Sequence, residues 1–220
     1  MELKKEHLAV FKRATFSFKQ LKESHSAVEI EQIKAGFKTN WQEWKTLNQR
    51  VAASLPSDLA MTQPKVESWT NGWNIRSHFW CAYRSETKKR ENACLATLLN
   101  QKQYQIYLMF QHYKSDERTG TIEQYNQLLE ELVTWSQDKD LSHYYIWPQV
   151  EHELVDHWLL SDYLKNEDNQ QVLIQQLAGR TFQIGKLYFA QDLPLNNCEQ
   201  VTVDTMKDLA SLYQKLVAFN

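Results

Sequence analysis

Between Glu151 and His157, the string Glu-His-Glu-Leu-Val-Asp-His crowds two imidazoles and three carboxylates into seven residues. The residue types suit a zinc hydrolase, but the spacing does not. A helical zinc site needs its histidines at i and i+4, so that both rings face one ion. His152 and His157 are five apart, which puts them about 140° around a helix. The spacing instead makes ordinary i,i+4 pairs of His152 with Asp156 and of Glu153 with His157. The string reads as a solvated helix face, and no metal is expected.

Other familiar chemistry is missing. Glycine occurs only at 36, 72, 120, 179 and 185, so neither a dinucleotide fingerprint nor a phosphate-cradling loop can be assembled. A nucleophile elbow is absent as well. Cys81 and Cys94 fall mid-strand among apolar neighbours, where a thiol is inert. No cofactor is expected.

The densest unusual run is Trp69 to Trp80. Asn71-Gly72 is a turn signal, since both residues tolerate positive φ, and it aims Trp73 at the head of a strand. On that strand Arg76, His78 and Trp80 share one face by the period of two. A symmetric first turn, with Arg84 opposite Glu91 and Cys81 opposite Cys94, adds Leu95, Thr97 and Leu99 from a second strand. Gln105, Tyr107 and Met109 join from a third. Such a face can be the floor of a cleft, with two anion donors beside stacking surface. It can equally be a helix-covered sheet with a polar rim. The candidate ligand-binding residues are Trp73, Arg76, His78, Trp80 and Tyr107. No catalytic set is identified.

The elements that must position these residues follow from periodicity. Ser26 and Glu29 form a capping box. Behind it Ile30, Ile33, Phe37, Trp41, Trp44, Leu47, Val51 and Leu55 make one apolar stripe on a long helix ended by Pro56, with Gly36 as a point of bending or division. Three runs with polar turns predict an antiparallel meander over about 74–113. Helices are predicted from Thr121 to about Ser136, Val150 to Leu164, Asp168 to Ala178 and Val203 to Phe219. Short strands are predicted at Tyr144–Trp147 and Arg180–Ala190. The fold class is therefore α+β: a meander extended by one or two later strands, packed by N-terminal, middle and C-terminal helices. Residues 1–220 are expected to form a single domain.

Eight Trp, ten Tyr and nine Phe imply a core of large side chains. A net charge of −2 disfavours nonspecific polyanion binding, which depends on Lys and Arg. No run approaches the length of a membrane span, and the opening Met1–Glu6 lacks a signal-peptide core. Three cysteines without a CxxC pair suit reduced thiols in the cytoplasm.

Ser68-Trp69-Thr70-Asn71-Gly72-Trp73, with Arg76, His78, Phe79 and Leu98-Leu99-Asn100, resembles a family of roughly 220-residue bacterial proteins of uncharacterised function. Phe11-Lys12-Arg13 through Phe16-Ser17-Phe18-Lys19 is similar too. Some members carry a glucose-6-phosphate dehydrogenase label, which this sequence does not support, because it lacks a dinucleotide fingerprint. A fainter likeness joins Tyr188, Leu193-Pro194, Asp208-Leu209, Leu212-Tyr213 and Leu216 to the N-terminal DNA-recognition domain of modified-cytosine restriction systems. That resemblance implies a flipped base in an aromatic pocket, furnished here by Trp80 and Tyr107.

The reading that follows is a non-enzymatic cytoplasmic domain binding a small molecule or protein partner on the polar-aromatic sheet face. One alternative is an enzyme with His78 as the acid–base group, completed by Asp156 or Glu153. The other is a reader of single-stranded or flipped nucleic acid, a partner class that the net charge does not favour.

Overall fold

The computed structural model describes residues 2–150 and 157–216. Seven strands form one antiparallel sheet: β1 (Lys65–Val66), β2 (His78–Tyr83), β3 (Ala93–Asn100), β4 (Gln103–Phe110), β5 (Tyr144–Pro148), β6 (Trp158–Leu159) and β7 (Phe182–Phe189). Their order across the sheet is β1-β2-β3-β4-β7-β5-β6. Helices α1 (Lys5–Ala9), α2 (Phe18–Ser24) and α3 (Ala27–Ser54) precede the sheet. Helices α4 (Ile122–Asn126), α5 (Leu132–Ser136), α6 (Leu160–Tyr163), α7 (Glu167–Gln176) and α8 (Cys198–Lys215) follow the meander.

The long helix α3 begins as its capping box dictates. Ser26 Oγ accepts from the Glu29 N–H, and the Ser26 N–H donates to Glu29 Oε2 at 2.7 Å. Two otherwise free donors are thereby satisfied. Ile30, Phe37, Trp44, Leu47 and Val51 are buried along one stripe, and Gly36 leaves the helix unbroken. Helix α8 buries Val203, Met206, Leu209 and Tyr213 in the same layer. Both helices lie on one face of the sheet, against Phe79, Cys81 and Tyr83 of β2 and Leu95 and Leu99 of β3. Phe79 is the hub: Phe11 meets it edge-on at 4.8 Å, with Phe37 and Trp44 at 6.3 and 6.4 Å.

The opposite face carries a second cluster, Trp80, Ala82, Cys94, Ala96, Leu98, Tyr107, Met109, Trp147 and Leu187. Every member belongs to a strand. Among the described residues, each buried helical side chain of this apolar kind joins the first cluster instead.

The first hairpin departs from the symmetric expectation. Cys81 stands opposite Thr97, not Cys94, a slip of three residues. Because side chains alternate, an odd slip transfers the whole of β3 to the other face. Leu95, Thr97 and Leu99 therefore face the helices, and Cys94, Ala96 and Leu98 accompany Trp80. The cause is an uneven connection. A 3₁₀ turn over Glu86–Lys88 turns Lys88 inward, onto Glu91 and the carbonyl of Leu216. The Arg84 carbonyl is taken by Thr62 N–H at 2.8 Å, and its Nε reaches the Glu91 carbonyl at 3.0 Å. The helix predicted from Val150 to Leu164 is also corrected, for Trp158–Leu159 is a strand and, among the described residues of that span, only Leu160–Tyr163 is helical. Glu151 to Asp156 lie outside the described residues. The middle helix is broken up, with a 3₁₀ stretch at Gln127–Glu131 between α4 and α5.

Candidate functional site

The helix-free face is built in rows across the strands. One row runs Ala82, Ala96, Tyr107, Gly185, Tyr145; the next runs Trp80, Leu98, Gln105, Leu187. Small residues on either side of Tyr107 have a geometric consequence. With only Ala96 on the intervening strand, Trp80 Nε1 on β2 can donate to Tyr107 Oη on β4 at 3.1 Å. On the other side Gly185 lets the Tyr107 and Trp147 rings approach to 5.9 Å. A Cβ on Gly185 would lie 2.1 Å from the Ile106 carbonyl oxygen and 2.6 Å from Tyr107 Cβ. No side chain fits there. An aromatic band results, continued by His157 at 4.7 Å from Trp147.

A cavity of about 510 Å³ lies over the β2–β4 side of this face. Trp80, Leu98 and Met109 line it from the sheet. Asn100, Gln111 and Gln149 bring amides, and Arg13, Arg76 and His78 bring basic groups to one end. Arg76 is held there by its loop: Gly72 takes φ +91°, Asn71 N–H and Asn74 N–H close the turn, and Arg76 N–H bonds the Trp69 carbonyl. Arg13 arrives from a distant part of the chain because Ile75 N–H bonds the Phe16 carbonyl and Ser17 bridges Asn74. Glu67 N–H bonds the Trp80 carbonyl, which sets its carboxylate 3.1 Å from Arg76 Nη1.

The electrostatics are uneven along the cavity. Arg13 and Arg76 face one carboxylate, Glu67, among the described lining. The Nε–H of each arginine is buried and has no acceptor. His78 is shifted down to about 4, chiefly by burial and secondarily by Arg76, so it is neutral near pH 7. Its ring nitrogen Nδ1 is 3.4 Å from Ser77 Oγ. At the other end His112 is also lowered by burial. Deeper in the same face, both amide atoms of Gln105 and of Gln183 are buried without partners.

Of the five residues expected at a site, Arg76, His78 and Trp80 line the cavity, and Tyr107 supports Trp80 from beneath. Trp73 does not join them. It sits at the tip of its turn, 85% exposed. Sequence reasoning missed Arg13, Glu67, Asn100, Gln111 and Gln149. Asn100 stands at the polar end of its strand, beside a turn, and the others have no local pattern that marks them. No group of three or more metal-binding side chains occurs among the described residues. None of their helices is long and apolar enough to cross a membrane.

A model of an uncharacterised protein family matches residues 3–216. The chain belongs to this family. The chain is also similar to an uncharacterised protein of Haemophilus influenzae (strain ATCC 51907 / DSM 11121 / KW20 / Rd). It is 31% identical over 156 residues, which cover 71% of this chain and 72% of the relative. The family's match reaches from before Arg13 to beyond Gln149, so every cavity residue named above lies inside it.

Proposed function

We propose that this chain is a binding domain rather than a catalyst, and that its ligand places an anionic group at the Arg13–Arg76 end of the cavity. The observation that carries the reading is the pair of buried guanidinium Nε–H donors without acceptors. A buried donor left unpaired is costly, and an anionic acceptor recovers more than a neutral one. Trp80 offers an apolar surface beside that end. Glu67 does not neutralise the site, because it is one carboxylate against two arginines.

Acid–base catalysis has less support. A histidine that titrates near 4 carries little proton at neutral pH, and Glu67 is engaged by Arg76. The carboxylates considered in sequence as partners for His78, Glu153 and Asp156, lie outside the described residues. Nucleic-acid reading is not favoured either, since Tyr107 is fully buried and bonded to Trp80.

The test is calorimetric titration with a panel of small carboxylates and phosphate monoesters, using Arg13→Ala and Arg76→Ala variants of verified fold. Loss of one charge-assisted bond predicts a drop of about 10- to 100-fold in affinity. Binding that both variants leave unchanged, or a panel with no ligand at all, overturns the assignment.

A further inference from the structure

Three of the amides lining the cavity, Asn100, Gln111 and Gln149, point their chemistry the same way. Asn100 Oδ1 accepts from the N–H groups of Lys102 and Gln103 at 2.8 and 3.0 Å. Gln111 Oε1 accepts from Arg84 Nη2 at 2.8 Å. Gln149 Oε1 accepts from Thr181 Oγ1 at 3.1 Å. His112 Nε2 lies 3.0 Å from the same oxygen. Backbone N–H and guanidinium can only donate, which fixes the amide orientation at Asn100 and Gln111. Each amide thus has its carbonyl engaged by the protein and its NH₂ left over. Together with the arginines, the cavity is a row of donors that asks for acceptors.

The row is long. Asn100 ends β3, and Met109 pairs with Cys94 six residues back along that strand. At about 3.4 Å per residue the lining spans roughly 20 Å. The arginines Arg13 and Arg76 sit at one end; Gln111, Gln149 and His112, whose burial disfavours its charged form, hold the other. A polyanion would need charge along the whole length. A compact ligand would leave the far amides unused. Leu98 and Met109 supply apolar surface between the two ends.

We infer that the occupant is an extended peptide ending in a free carboxylate, its terminus on Arg13 and Arg76 and its carbonyl oxygens on Asn100, Gln111 and Gln149. This rests on the anion-binding reading above and names its ligand. A segment of roughly four to six residues fits the length. The terminal carboxylate supplies the single charge, backbone carbonyls supply the spaced acceptors, and apolar side chains cover Trp80, Leu98 and Met109.

Equilibrium dialysis with a pooled set of N-acetyl hexapeptides bearing apolar C-terminal residues tests it, beside the matched α-carboxamides and an N-acetyl dipeptide. The carboxylate pool should bind, and the carboxamides should bind about tenfold or more weakly. Gln149→Ala, which removes the side-chain bond with Thr181, should weaken the hexapeptides roughly fivefold and leave the dipeptide unchanged; Gln111→Leu is a second variant with the same expectation. Equal binding of carboxylate and carboxamide overturns the inference, as does equal loss for hexapeptide and dipeptide. If no peptide binds while small acids still occupy the arginine end, the peptide falls and the anion site stands. If neither binds, both fall.

Discussion

On the helix-packed face, buried polar groups find one another. Asn48, deep in α3, accepts from Tyr83 Oη at 2.6 Å and Thr97 Oγ1 at 2.5 Å while donating to the Trp44 carbonyl. Tyr104 meets Thr202 at 2.7 Å, and Tyr144 meets Asp208 at 3.3 Å. Trp44 Nε1 and Tyr125 Oη are exceptions. On the other face Gln105 and Gln183 are just as buried, yet all four of their amide atoms lack partners, as does Trp147 Nε1. The same strands therefore carry two kinds of interior. One is closed upon itself and serves stability. The other keeps unused hydrogen-bonding capacity next to a cavity, a pattern that costs stability and is retained where something binds.

The comparison breaks most readily at Phe79, the hub of the closed face. Phe79→Ala removes a fully buried ring contacted by three others and should cost about 3–5 kcal/mol in chemical denaturation. A loss below about 1 kcal/mol would mean that this cluster is not the principal core.

Next in size is a paired test of the polar groups. Asn48→Ala strands the buried Thr97 hydroxyl and leaves Tyr83 Oη only the main-chain carbonyl of residue 48, at 3.3 Å, and should cost about 2–3 kcal/mol. Gln105→Leu has similar volume and breaks no bond, so its expected change is under about 1 kcal/mol and can be stabilising. Equal destabilisation by the two would erase the distinction between the faces.

Much of the closed face was legible in the sequence. Ser26 with Glu29 and the Ile30-to-Val51 stripe specify α3 without help from tertiary structure, and Met206, Leu209 and Tyr213 do the same for α8. The meander could be read too, and so could the shared face of Trp80 and Tyr107. The β3 register could not, because Ala93–Asn100 is buried on both faces and so carries no alternation to fix it. What decided it was Lys88 turning inward, a contact with the far end of α8. Arg13 was unreadable for a similar reason: only the pairing of Phe16 with Ile75 brings it to Arg76.

His78 gives a smaller effect with a definite sign. Its folded pKa, about 4, lies below the ordinary value near 6.5, so the unfolded chain binds the proton more readily. Stability from this group is complete above about pH 6.5 and is lost as pH falls toward 4, by an amount on the order of 1–2 kcal/mol. Other groups also take up protons as pH falls, so the informative quantity is the difference between the parent and His78→Gln. That variant should lose part of the slope between pH 6.5 and 4. Identical slopes would place His78 in a wetter setting than its burial implies.

The smallest effect is expected at Trp73, and it sharpens the comparison by bounding the second face. Its carbonyl bonds Phe18 N–H at 3.2 Å, but the backbone makes that contact and Ala would keep it. The indole, 85% exposed, buries little area to lose, so Trp73→Ala should change stability by less than about 0.5 kcal/mol. Because Trp73 does not line the cavity, affinity for small acids at Arg13 and Arg76 should also be unchanged. A clear loss of that affinity would show that the site extends over the Asn71–Asn74 turn. Trp73 would then cap the arginine end from outside, and the boundary drawn here would have to move outward to include it.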